Sequence, residues 1–206
     1  SEAPEGFMPN GFSLGPDGSF YIANLGPSGG VFRMSPSGEV TPVTLEVEGC
    51  PLPPTNFVNR DTEGGLWVSV STAQIPRDKA FRRSIADGYV VYVSPSGEAR
   101  IAADGLGFAN ENKHRGGYLY VNETIARRLS RFAVEGPGKL GPRETVCEFA
   151  DGIFPDGLDF DAEGGTWIAS VVSNRLLRID PDGCQQVYLD DAAPDLVAQA
   201  ERAYAE

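Results

Sequence analysis

Short apolar runs recur along the chain, each flanked by a glycine-bearing turn. "FYIAN" begins at Phe20, "LWVSV" at Leu66, "LYVNE" at Leu119 and "TWIAS" at Thr166. Runs of this length, rich in aromatic and β-branched residues and bounded by turn residues, predict strands rather than helices. An acidic-Gly or Gly-Gly pair precedes every run: Asp17-Gly18, Glu63-Gly64, Gly116-Gly117 and Glu163-Gly164. Another apolar run follows, carrying an arginine in "GVFRMS", "RRLSRF" and "LLRID", and a Pro-x-Gly turn closes three of the units. Strands joined by such turns predict hairpins.

The units are copies of one another. Aligning Asn10-Gly11 with Asp156-Gly157 places Tyr21-Ile22-Ala23 on Trp167-Ile168-Ala169, and Ser35-Pro36-Ser37-Gly38 on Asp180-Pro181-Asp182-Gly183. Two more copies begin at Asn56 and Asn110, so the repeats start near residues 9, 55, 109 and 155. A period of roughly 45 residues holding three or four strands is that of a propeller blade. The fold predicted is all-β, a β-propeller with about four blades recognisable, plus a short C-terminal helix. A β-sandwich is the weaker reading, because sandwiches lack a fixed internal period.

Two segments break the period. Residues 73–86, "AQIPRDKAFRRSIA", are a polar and basic insertion, expected to loop over one face, with a lid as the weaker, functional alternative. The tail, 190–206, is expected to be helical: Pro194 and Asp195 suit a first turn, and Leu196, Val197, Ala200 and Tyr204 fall near one stripe. An Ala-rich helix this short needs something to pack on.

Composition narrows the function. The 206 residues are 41% hydrophobic, enough for a real core, and their 25 Gly and 16 Pro are dispersed as in a turn-rich β protein. A net charge of −12 argues against nucleic acid and anionic membrane surfaces and favours a cation. No apolar run reaches the ~20 residues of a membrane span. Cys50, Cys147 and Cys184 are odd in number and widely spaced, so they are expected to be reduced, buried and structural, in keeping with a cytoplasmic location. The chain begins without an initiator Met and is expected to be a piece of a longer protein.

In a propeller, equivalent positions at the start of each innermost strand ring one mouth of the channel. Here that ring holds Asn10, Asn56, Asn110 and Asp156. Amide and carboxylate oxygens converging on an axis are hard ligands of the kind Ca²⁺ takes, with Mg²⁺ or Mn²⁺ as alternatives. A single Asn before a turn carries no such message, since Asn and Asp favour turns for backbone reasons. Four in phase carry more. The one histidine, His114, sits in Lys113-His114-Arg115, where an exposed turn residue is a plainer reading than a general base. Neither a Gly-x-Ser-x-Gly elbow nor a phosphate-binding loop is present.

Three stretches, "PPTNFVNRDTEGGLWVS", "GLGFANE" with "YLYVNETIARRLSRF", and "FPDGLDFDAEGGTWIA" with "NRLLRIDPDG", resemble the SMP-30/gluconolactonase/luciferin-regenerating-enzyme family. The likeness runs from about Pro9 to Gln186. It implies a six-bladed propeller with one divalent cation in the channel, Ca²⁺ foremost and Zn²⁺, Mg²⁺ or Mn²⁺ as alternatives. It further implies that Asn56, Asn110 and Asp156 hold the metal, that Asp156 also serves as the catalytic base, and that Asn10, Asn56 and Glu111 line the substrate pocket. The family's Glu ligand, one blade upstream, has no counterpart, because Glu5 stands only five residues before Asn10. Six blades need more residues than this chain has, so the propeller is expected to be incomplete or closed by another copy in a homo-oligomer.

The function expected is metal-dependent hydrolysis of small lactones or related esters. The rivals are a non-catalytic propeller that binds a small molecule or protein partner, and a related reaction on the same scaffold such as phosphotriester hydrolysis or an isomerase or synthase step.

Overall fold

The computed structural model describes residues 3–205. Four antiparallel four-stranded sheets follow one another along the chain, each a meander of consecutive strands. The first contains β1 (Pro9–Leu14), β2 (Phe20–Asn24), β3 (Val31–Met34) and β4 (Val40–Thr44). A small hairpin, β5 (Glu46–Val47) and β6 (Cys50–Pro51), leads to the second sheet: β7 (Phe57–Arg60), β8 (Leu66–Val70), β9 (Gly88–Val93) and β10 (Ala99–Leu106). The third holds β11 (Ala109–Arg115), β12 (Tyr118–Glu123), β13 (Arg128–Gly136) and β14 (Lys139–Glu148). The fourth holds β15 (Phe154–Phe160), β16 (Thr166–Val171), β17 (Arg175–Ile179) and β18 (Gln185–Asp190), and α1 (Pro194–Ala205) follows it. The first strands are neighbours in turn, β1 beside β7, β7 beside β11 and β11 beside β15. They line the axis of a β-propeller.

The turns that punctuate the repeat hold themselves. Asp61 Oδ1 accepts the backbone N–H groups of Glu63 and Gly65 at 3.0 and 2.7 Å, while Oδ2 accepts Trp67 Nε1 at 3.0 Å. Asp161 repeats the pattern with Glu163, Gly165 and Trp167 at 3.0, 2.7 and 2.9 Å. One carboxylate thus caps a turn and orients the tryptophan at the second position of the next strand. The third sheet solves the turn differently. Gly116 and Gly117, at φ 57° and 81°, join β11 to β12 as a two-residue loop, a conformation with both φ positive that favours glycine.

The core is divided into layers between the blades. Val58, Val68 and Val91 of the second sheet pack on Ala23 and Val31 of the first. Trp67, Val90 and Tyr92 pack on Leu119, Val121 and Phe132 of the third. Leu129 of the third meets Leu158, Ile168 and Leu177 of the fourth. A sheet in the middle has both faces covered, and β8 is buried along its whole length. The outer sheets do not. Met8, Phe12 and Leu14 at β1, and Val187, Tyr188 and Leu189 of β18, are at least half exposed.

A fourth apolar cluster caps one end of the propeller. Ala80 of the insertion and Tyr204 of α1 pack on Phe108, Ile125 and Phe154. The insertion lies between β8 and β9 and contains a short 3₁₀ turn, Arg77–Ala80. In α1 the docked stripe is Val197, Ala200, Glu201 and Tyr204. Leu196, expected on that stripe, is 58% exposed. Glu201 takes its place because its carboxylate meets Arg127 at 2.5 Å and the N–H of Gly152 at 2.6 Å.

Two further expectations are corrected. Cys50 and Cys184 are exposed, and Cys147 alone is partly buried; all three are free. His114 is not an exposed turn residue. The turn is Gly116-Gly117, so His114 falls within β11, half-buried, edge-on to Trp67 with centroids 5.1 Å apart. Among the described residues no helix is long and apolar enough to cross a membrane.

Candidate functional site

The four phased residues meet at the capped end of the propeller, around a cavity of about 660 Å³. Asn10, Asn56, Asn110 and Asp156 all line it, with Glu111, Lys113, Thr124, Arg77, Phe81 and Phe108. Local geometry explains why these residues turn inward. The pairing of β1 with β2 slips between Pro9 and Phe12, that of β11 with β12 between Ala109 and Asn112, and that of β15 with β16 between Pro155 and Gly157. Asn10, Asn110, Glu111 and Asp156 lie inside those slips. A bulge frees a residue from the ladder and re-aims its side chain, here toward the channel. Asn56 stands one residue ahead of β7, and its N–H bonds to Ser69 O at 2.9 Å. Three of the four ring residues are therefore aimed by irregularities at strand starts, and not by the turn preference of Asn.

The ring is built as two cross-blade pairs. Asn10 Nδ2 donates to both the backbone O and Oδ1 of Asn56 at 2.8 Å. The approach is close enough that a Cβ on Gly11 would stand 2.1 Å from Phe57 Cδ2, so only glycine fits there. Asn56 Nδ2 in turn donates to Ser71 Oγ at 2.8 Å. On the other side, Asn110 Nδ2 donates to Thr124 Oγ1 at 3.1 Å and to Asp156 Oδ1 in a very short contact. Thr124 Oγ1 donates to Pro155 O at 2.7 Å, and Asn122 Nδ2 reaches the carbonyls of Asp156 and Gly157 at 3.0 and 3.1 Å. Asp156 is thus fixed through both its side chain and its backbone. Asn122, in β12, and Thr124, just after it, were not legible as site residues; Thr124 matches Ser71 of the preceding copy, whose hydroxyl accepts the Asn56 amide in the same way, but the likeness shows only once that contact is seen.

Burial dominates the electrostatics. It pushes the Asp156 carboxyl above its ordinary value, while the Asn110 amide and the charge of Arg77 pull the other way. Glu111 is raised by burial too, against the N–H of Leu158, which bonds Oε2 at 2.7 Å, and the charge of Lys113. Asn10 is the exposed member, since nothing among the described residues covers β1 from the other side, whereas Asn56 and Asn110 are buried. Glu5 does not line the cavity.

The donor set is hard and oxygen-rich: one carboxylate, three side-chain amides, and the hydroxyls of Ser71 and Thr124 nearby. Among the described residues no three His, Cys, Asp or Glu side chains converge. Such a set suits a Ca²⁺-like ion better than Zn²⁺, which prefers nitrogen and sulfur. Each amide can present oxygen or NH₂ by turning end for end, and no ion pair within 4.0 Å occupies Asp156 among the described residues. Asn56, Asn110 and Asp156 therefore fit a divalent cation, with the Asp156 carboxylate in the ring and that of Glu111 in the cavity wall.

Blades that converge amide and carboxylate oxygens on one mouth of the channel define a β-propeller with its site on the axis. Residues 2–192 match the SMP-30/Gluconolactonase/LRE-like region, and the chain belongs to that family. It is 29% identical over 148 residues to a 6-deoxy-6-sulfogluconolactonase of Pseudomonas putida, covering 67% of this chain and 47% of that one. It is 26% identical over 137 residues to the diisopropyl-fluorophosphatase of Loligo vulgaris, 61% of this chain and 43% of that one. The chain thus spans less than half the length of these curated relatives. Among solved structures, a gluconolactonase from Xanthomonas campestris superposes with a TM-score of 0.73 at 19% identity, over 88% of this chain and 62% of that one. The calcium-binding protein regucalcin of Agrobacterium tumefaciens gives 0.70 at 23%, over 87% and 59%. These likenesses carry the propeller fold.

Proposed function

We propose that this cavity is the active site of a metal-dependent hydrolase of small lactones or related esters. The observation that carries the reading is Asp156: a half-buried carboxylate, free of any ion pair among the described residues, held by the Asn110 amide on the wall of the cavity that the ring residues line. A divalent cation held by Asn56, Asn110 and Asp156 would supply Lewis-acid polarisation of the scissile carbonyl. Asp156 accepts the proton of the attacking water through a carboxylate oxygen. Asn122 and Thr124 fix the backbone that carries it, bonding the carbonyls of Asp156 and Pro155. Asn10 and Glu111 line the pocket with the ring residues, and Phe81 and Phe108, ring centroids 5.3 Å apart, supply an apolar wall. Membership of a family with gluconolactonase relatives supports this chemistry.

The test is hydrolysis of a lactone panel with added Ca²⁺, Mn²⁺ or Zn²⁺, beside Asp156→Asn. We expect turnover that needs a metal and falls at least about 100-fold in the variant. Turnover undiminished in Asp156→Asn would overturn the assignment of the base. A second reading, ligand binding without turnover, is favoured by the exposure of Asn10 on the uncovered side. It takes the lead if ligands bind and no lactone is hydrolysed by the unaltered chain.

A further inference from the structure

The insertion brings a cation into the cavity that the repeat does not supply. Arg77 lines the pocket, its guanidinium 5.0 Å from the centroid of the Phe108 ring. Its Nη2 donates to Ser71 Oγ at 3.1 Å, the same hydroxyl that accepts Asn56 Nδ2. Its Nε is buried without a partner, and no carboxylate lies within 4.0 Å of it among the described residues. Lys113, the cavity's other cation, is already paired with Asp159 at 2.8 Å. Arg77 is therefore a desolvated, planar donor with unspent hydrogen-bonding capacity, anchored on the wall beside the ring. Its surroundings agree. In a chain of net charge −12, residues 73–86 carry four basic side chains and one acidic one.

We infer that Arg77 receives an anionic group of the ligand, so that the site prefers lactones, or the acids derived from them, that carry a carboxylate or sulfonate away from the reacting carbonyl. A guanidinium matches an oxyanion in two parallel hydrogen bonds, and a half-buried one gains more from the match than an exposed one. Stacking on Phe108 and the bond to Ser71 hold it ready, so little ordering is needed when the ligand arrives. The basic insertion adds steering toward a mouth that the rest of this acidic chain would repel. The inference rests on reading this cavity as the substrate site.

The test compares ligands that differ by one charged group. Calorimetry of gluconate and glucarate against the whole chain, with Ca²⁺ present, reads binding without turnover. Hydrolysis of D-glucono-γ-lactone and D-glucaro-γ-lactone reads the reaction. We expect glucarate to bind about tenfold or more tightly than gluconate, and that ratio to collapse toward one in Arg77→Gln. Arg77→Lys should retain part of it, since it keeps the charge and loses the fork. The glucaro-to-glucono ratio of kcat/KM should fall in parallel. Arg82→Gln, an exposed change in the same insertion, controls for general charge loss and should keep the ratio. Equal affinity for the two acids in the unaltered chain, or a ratio unmoved in Arg77→Gln, overturns the inference even if both lactones are hydrolysed. Preference for glucarate that depends on Arg77, with neither lactone hydrolysed, upholds it and removes the hydrolase reading alone.

Discussion

His114 shows how a single residue takes its properties from its place in a strand. Asn59 Nδ2 stands 3.2 Å from His114 Nδ1, a contact that suits a neutral ring carrying its proton on Nε2. Burial lowers the imidazole below its ordinary value, against the pull of Asp61. A histidine whose folded value is depressed binds fewer protons than its unfolded counterpart in the window between the two. Its contribution to stability is therefore complete above about pH 6.5 and is lost as the pH falls through the folded value. We expect the ring to titrate by NMR with a midpoint below about 6.5, and His114→Gln to flatten part of the stability loss between neutral pH and pH 5. A midpoint at or above the ordinary value would contradict the buried, neutral assignment. The sequence pointed away from this because Lys113 and Arg115 make the stretch look solvated, while the chain's actual reversal is two glycines further on. Arg77 was hidden for a different reason. It lies in the segment with no phase, so no other copy says where it points.

Among the elements, α1 depends most on its contacts. Tyr204 donates to Ile125 O at 2.9 Å, meets Phe154 edge-on at 6.0 Å, and has the Arg127 guanidinium 4.2 Å from its ring centroid. Removing the hydroxyl in Tyr204→Phe should cost about 1 kcal/mol. Tyr204→Ala should cost about 2–4 kcal/mol, with partial loss of the helical circular-dichroism signal, because a twelve-residue helix has little stability alone. Unchanged melting and helicity in Tyr204→Ala would show that the docking is not what holds the helix. The helix was legible from Pro194, Asp195 and its alanines, whereas its docked face was not. Apolarity favoured Leu196, and the structure prefers Glu201 because Arg127 and the Gly152 N–H await a carboxylate. Strands were legible through their turns, since Asp61 and Asp161 bond to their own backbone and need no tertiary partner. The bulges that aim Asn10, Asn110 and Asp156 leave no mark in the sequence, and only the repeat phase brought those residues together.

At the scale of the whole chain, the layered core sets an order of stability. Blades that contact only their neighbours behave as a row of coupled units, and the ends of a row open first. Amide hydrogen exchange should be slowest around Val68 and Val91, buried on both sides, and fastest in β18, whose six residues are all exposed. Uniform protection across the four sheets would mean that the chain opens as one unit. The site crosses these joints. Asn10 to Asn56, and Asn110 to Asp156, are bonds between blades, whereas the ladders that hold each sheet together lie within blades. A small tilt of one sheet against the next would thus change the aperture of the ring while leaving every strand pairing intact. The apolar residues in the seams, such as Val58 against Ala23 or Leu158 against Leu129, then act as shims that set the calibre of the mouth from a distance. Adding or removing one methyl group there would retune which ligands fit without touching a residue that meets them.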